Sequence, residues 1–156
     1  MVGLSLSIDT WTALGSLGMT IMFVALILSY YNFLIGPQGK GPNVVVDIDA
    51  LMYQNLSISG VPGLILAGVA FGMRKADLSQ STSLILLVTG AILIVGMVFA
   101  LSMVERINAD FLTQNIVTIP RLFVIAGAGV MVIGAILYKD NLSKRKRKPR
   151  NFDKPS

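Results

Sequence analysis

Along the chain, apolar positions gather into four long runs instead of alternating with polar ones. Residues 11–35, 58–73, 84–104 and 122–138 hold no Asp, Glu, Lys or Arg. A helix that crosses a bilayer needs about 20 mostly apolar residues. The first and third runs meet that length directly. The fourth meets it with Pro120 counted in its first turn, a position proline tolerates. The second is shorter and is interrupted by Gly60, Pro62 and Gly63. The pattern predicts an all-α integral membrane protein with transmembrane helices at about residues 11–35, 58–73, 84–104 and 119–138, and a basic tail over 139–156.

Composition agrees. Of 156 residues, 54% are hydrophobic and 13% charged, and mean hydropathy is +0.73. A soluble domain carries about 25% charged residues. Four buried helices of this kind would leave a soluble protein almost no polar surface. The first run exceeds the core of a cleaved signal peptide and has no basic residue ahead of it, so it reads as a retained anchor.

Charge sets the expected orientation. Every Lys and Arg except Lys40, Arg106 and Arg121 falls either at Arg74 and Lys75 or from Lys139 onward. With four spans these two groups share one face, and basic residues in short loops mark the cytoplasmic side. Both termini are therefore expected in the cytoplasm of a multi-pass cell-membrane protein. Trp11 and Tyr138 fall at the inner ends of their helices, and Tyr30 and Tyr31 near the outer end of the first, where amphipathic rings prefer to sit.

A repeated phrase stands in the two outer segments. Residues 50–64 read ALMYQNLSISGVPGL, and residues 111–122 read FLTQNIVTIPRL. Aligning Gln54 and Asn55 with Gln114 and Asn115 also pairs Leu51 with Phe111, Met52 with Leu112 and Leu56 with Ile116. Apolar residues recur at helical spacing in both, which predicts a short amphipathic helix in each outer loop. Asp47 or Asp49 would cap the first and Asn108 the second. Upstream, MFVAL at 22–26 parallels MVFAL at 97–101, and an irregular loop, GPQGKGPNVVVD, lengthens the first copy. The expectation is two parallel-repeat helical hairpins about an axis along the membrane normal.

Candidate chemistry is sparse. Cysteine and histidine are absent, which removes disulfides, thiolate sites and the commonest metal and haem ligand. No catalytic, cofactor or metal-ligand set stands out. Gln54, Asn55, Gln114 and Asn115 are candidates for a polar site or, on the plainer reading, for helix caps. No ionisable residue falls mid-span, and Arg121 is expected to snorkel to the outer surface. Gly63, Ala67, Gly68, Gly72, Gly96, Ala100, Gly127 and Gly134 supply the small residues through which membrane helices approach one another. Lys144, Arg145, Lys146, Arg147, Lys148 and Arg150 form a cluster suited to anionic headgroups or an acidic partner. The last dozen positions are expected to be flexible without a partner.

These features point to a non-catalytic accessory or scaffold subunit of a larger membrane complex. Its expected neighbours are anionic lipids on the cytoplasmic face and other integral subunits or further copies of itself, with no nucleic acid and no cofactor. The alternative is a small oligomeric transporter or channel for a polar or neutral solute.

The topology is directly testable in a chain without cysteine. A Gln38→Cys variant is expected to react with an impermeant thiol reagent on intact cells, and Ser79→Cys is expected to resist it. Ready labelling of Ser79→Cys from outside would remove the second span.

Overall fold

The computed structural model describes residues 7–73 and 80–147. These residues are helical without strands, and four helices are long and apolar enough to cross a membrane. Helix α1 spans Ile8–Ile35, α2 Ile48–Asn55, α3 Val61–Gly72, α4 Gln80–Val104 and α5 Gln114–Arg147. The end of the bundle that carries the 36–47 and 105–113 connections is called the upper end below.

The two repeated phrases do not form separate surface helices. Helix α2 runs into α3 through one π turn, Leu56–Gly60, making Ile48–Gly72 a single rod of 25 residues. Pro62 supplies no N–H to the turn before it. The Val61 N–H reaches back to the Leu56 carbonyl, a five-residue step that widens the turn. The second phrase is the opening of α5. Gln114 is its first residue, and Pro120 lies inside the helix rather than in its first turn. Both rods therefore begin earlier than composition alone places them.

A proline inside a helix frees the carbonyl four residues back. For Pro120 that carbonyl belongs to Ile116, which is fully buried. The Tyr31 hydroxyl donates to it at 2.5 Å. Two other α1 hydroxyls do the same elsewhere: Tyr30 donates to the Ile48 carbonyl at 2.7 Å and Ser16 to the Gly63 carbonyl at 2.8 Å. Helix α1 thus holds α2, α3 and α5 through side-chain bonds to their backbones.

Helix α3 packs on α1, α1 on α4, and α4 most extensively on α5. At the lower end Thr10 and Thr82 share a hydrogen bond of 3.1 Å. Two-thirds of the way up, Val24 fills the space over Gly96, at the same sequence offset, so α1 and α4 run parallel in register. Their N-termini lie together, and each carries partial positive charge. Asp9, in the first turn of α1, accepts from the Thr82 hydroxyl in the first turn of α4 at 2.7 Å. One carboxylate thereby serves both helix ends.

Phe23 and Phe123 meet at the centre, ring centroids 4.5 Å apart and planes tilted by 40°, within a core that includes Ile27, Tyr31, Leu34, Met52, Met97 and Ile116. A smaller cluster around Ala67, Leu86, Val130 and Leu137 fills the lower half.

Removing the Tyr31 hydroxyl leaves a buried carbonyl without a donor, at a cost of about 1–3 kcal/mol. Tyr31→Phe is expected to lose that much stability in detergent. Pro120→Ala returns the missing N–H, so in that background the Tyr31→Phe loss should shrink to a few tenths of a kcal/mol. Equal losses in both backgrounds, by denaturant unfolding, would refute the coupling.

Candidate functional site

The most developed polar arrangement lies at the upper end, between α2 and α5. Asp47 is the N-cap of α2, its carboxylate accepting from the Ala50 N–H at 3.1 Å. That leaves Asp49, in the first turn of α2, to bridge the two rods. Its Oδ1 accepts from the Thr113 hydroxyl and from Asn115 Nδ2, each at 3.0 Å. Asn115 Nδ2 also lies 3.3 Å from the Tyr53 hydroxyl. Asn108 caps the 3-10 turn Ala109–Phe111, through a 3.3 Å bond from the Asp110 N–H, and not α5 itself.

The two Gln-Asn pairs have different surroundings. Asn115 is engaged with Asp49, whereas the side chains of Gln54, Asn55 and Gln114 make no hydrogen bond among the described residues. Asn115 stands level with Asp49, so Asn55 lies about 9 Å further along its rod and the two pairs do not meet. Asn55, the last residue of α2, keeps ordinary right-handed helical angles, φ −59° and ψ −42°, so the helical path continues through it into the π turn.

The irregular 36–47 connection is braced from inside. Gly36 has φ 65° and Gly41 φ 83°, a region open to glycine. The Gly41 N–H returns to the Ile35 carbonyl at 3.0 Å, and the Phe111 ring covers the space where a Gly41 side chain would stand.

The small residues divide into two groups. A Cβ on Gly63 would lie 3.3 Å from Met19, on Gly127 3.1 Å from the Gly90 carbonyl oxygen, and on Gly134 2.8 Å from the Leu87 nitrogen. A Cβ on Gly96 would strike Val24, and Ala67 and Ala100 are buried. Gly68 and Gly72 face open space instead, on the exposed side of α3 beside Ile65 and Val69.

Helix α5 continues as a regular helix through Lys144, Arg145, Lys146 and Arg147, the last three of which fall in the dozen positions where flexibility is expected from sequence. Cations at a helix C-terminus are favourable, and Lys and Arg are good helix formers, so the basic run extends the helix. Lys148 and Arg150, like Arg74 and Lys75, lie outside the described residues.

Two shallow grooves lie between or along helices. One, of about 450 Å³, is walled by Val24 and Leu28 of α1 and by Ile92, Val95, Gly96 and Phe99 of α4, and is apolar and open. Another, of about 380 Å³, follows α4 along Val98 and Ser102.

Sequence alone misses the roles of Tyr30, Tyr31, Thr113 and Asp49 as an interhelical network. Asp49 draws notice only as a possible cap. Asp9, Thr10 and Thr82 also escape notice because they stand at helix ends distant in sequence. No family model matches the chain, and no curated protein or solved structure matches it either.

The unequal surroundings set an unequal outcome for substitution. Asn115→Ala is expected to cost about 1.5 kcal/mol, through the lost bond to a carboxylate. Gln54→Ala, at an exposed position, should stay within about 0.5 kcal/mol. Thermal unfolding of the two variants in one detergent measures the difference, and equal losses would make the Asn115–Asp49 bond unimportant.

Proposed function

We propose that this chain is a non-catalytic accessory or scaffold subunit of a larger membrane complex. One observation carries the reading: among the described residues, every buried hydroxyl except that of Thr20 is committed to a hydrogen bond that holds the bundle together. Ser16, Tyr30 and Tyr31 each donate to the backbone of another helix, and Thr89 and Ser83 return to carbonyls of their own. Groups bonded in this way support shape and are poorly placed to hand a solute or proton along. The groove between α1 and α4 and the one along α4 are apolar and open sideways, which suits neighbouring helices or lipid chains.

The same reading includes a duplicated architecture. Two hairpins, α1 with α2–α3 and α4 with α5, would be related about an axis along the membrane normal. The parallel, in-register pairing of α1 with α4 supports this arrangement. The termini are assigned to the cytoplasm of a cell-membrane protein. The helical basic run from Lys144 to Arg147 would meet anionic headgroups there.

Reconstitution separates this role from the transporter alternative. Purified chain in liposomes is expected to leave a pH gradient and a membrane potential intact at a chain density where a known carrier collapses both. Saturable, selective flux through the isolated chain would overturn the subunit role and favour the transporter.

A further inference from the structure

Sequence reading places Arg121 at the outer surface. The structure places it well below the upper end. Gly127 lies against Gly90, so these two residues share a level. From Gly90 up to Val104, the last residue of the uncharged run in α4, the rise is about 21 Å, and from Gly127 up to Arg121 it is about 9 Å. Arg121 therefore starts about 12 Å below the end of that run, and about 9 Å below Asp49, which is level with Asn115, within a hydrocarbon layer about 30 Å thick. The contact between the rings of Phe23 and Phe123 agrees, since Phe23 is near the middle of α1 and Phe123 is two residues from Arg121.

Helix side chains lean toward the N-terminus, which for α5 is upward, and arginine snorkels along that direction. An extended arginine is shorter than the distance to the edge. The side chain is exposed, on the face of α5 opposite its buried stripe of Ile116, Phe123, Gly127 and Val130. Gln114 and Thr118, at helical spacing above it, are exposed on the same face, and none of the three has a hydrogen-bond partner among the described residues. Below them the face turns apolar, with Ile125 69% and Val132 58% exposed. The upper half of one lipid-facing surface thus carries a polar stripe ending in a charge.

We infer that this stripe is a docking face for a transmembrane helix of a different protein, one that brings a carboxylate to the depth of Arg121. Charge complementarity selects the occupant. Intramembrane ionisable residues are expensive in lipid and are found paired. A second copy of this chain has no Asp or Glu at that depth. Its acidic residues stand at the ends, at Asp9, Asp47, Asp49, Glu105, Asp110 and Asp140, with Asp77 and Asp153 outside the described residues. A carboxylate from another subunit would accept two N–H bonds from the guanidinium, while Gln114 and Thr118 fix register above it. This inference rests on the subunit role and names the chemistry of the neighbour.

The test uses full-length chain in phosphatidylcholine vesicles, labelled at Gln38→Cys, and a synthetic leucine–alanine transmembrane peptide with one Glu about 12 Å below its upper end. Energy transfer is expected to report association at least about tenfold tighter than for the same peptide with Gln. The preference should vanish in Arg121→Gln, whose unfolding should match the parent because Arg121 is exposed. Equal association of the Glu and Gln peptides, or a Glu preference that survives Arg121→Gln, would overturn the inference. Arg121-dependent binding of phosphatidylglycerol without any Glu preference would also overturn it, making Arg121 a snorkelling lipid anchor. A parallel measurement tests the underlying role: the size of the assembly extracted from native membranes in mild detergent. Parent chain that runs alone would sink the subunit role itself. Parent and Arg121→Gln chains held equally in a large assembly would sink only the docking face, and release of Arg121→Gln from that assembly would support it.

Discussion

A carbonyl that has lost its helical partner in an apolar surrounding must find another donor, and this requirement organises the bundle. Pro120 breaks the ladder at Ile116, and water is not at hand in a hydrocarbon layer to repair it. Tyr31 repairs it from the neighbouring helix. The repair has a geometric consequence. It fixes the height of α5 against α1, and with that height set, Phe123 meets Phe23 about 11 Å lower. Tyr30 sets α2 in the same way, and its ring meets Tyr31 edge-on, centroids 6.2 Å apart. Two adjacent residues on one helix therefore position both rods that begin at the upper end.

Close packing then completes what the hydroxyls begin. The hydrophobic effect gives little drive between helices already in lipid, so van der Waals contact and interhelical bonds must suffice. Glycines at 90, 127 and 134 let α4 and α5 approach until backbone meets backbone. Gly96 admits Val24 and brings α1 against α4. The lower end, where two parallel helices place their N-termini side by side, is held by Asp9, Thr10 and Thr82.

The four spans were legible because hydrophobic run length is a one-dimensional property. A charge-free stretch such as 84–104 declares itself, and α4 covers it with a few residues added at the lower end. Helix starts were less legible where polar residues open an apolar rod. QNIVTI reads as surface because Gln and Asn are polar, yet it is the first turn and a half of α5. What makes it part of the rod is Tyr31, remote in sequence, accepting responsibility for the carbonyl that Pro120 strands. The candidate amides were visible as a repeated phrase, but their inequality was not. Asn115 differs from Asn55 only in what stands opposite it, and Asp49 is opposite just one of them.

The helix start that puts Pro120 inside α5, and so calls for this repair, also accounts for the position of Arg121. Had the span begun at Pro120, as its composition suggests, the next residue would stand at the membrane edge with water in reach. Because α5 begins at Gln114, two turns of helix precede Arg121 and carry it about 10 Å inward. A helix that started later would shorten the polar stripe and expose the charge to solvent, but it would also leave Tyr31 without the Ile116 carbonyl. The interhelical bond and the depth of the charge along α5 are thus consequences of one choice of helix start. Selection for the first would carry the second along unless another molecule offset its cost, and the exposed face of α5 is where such a molecule has room to sit.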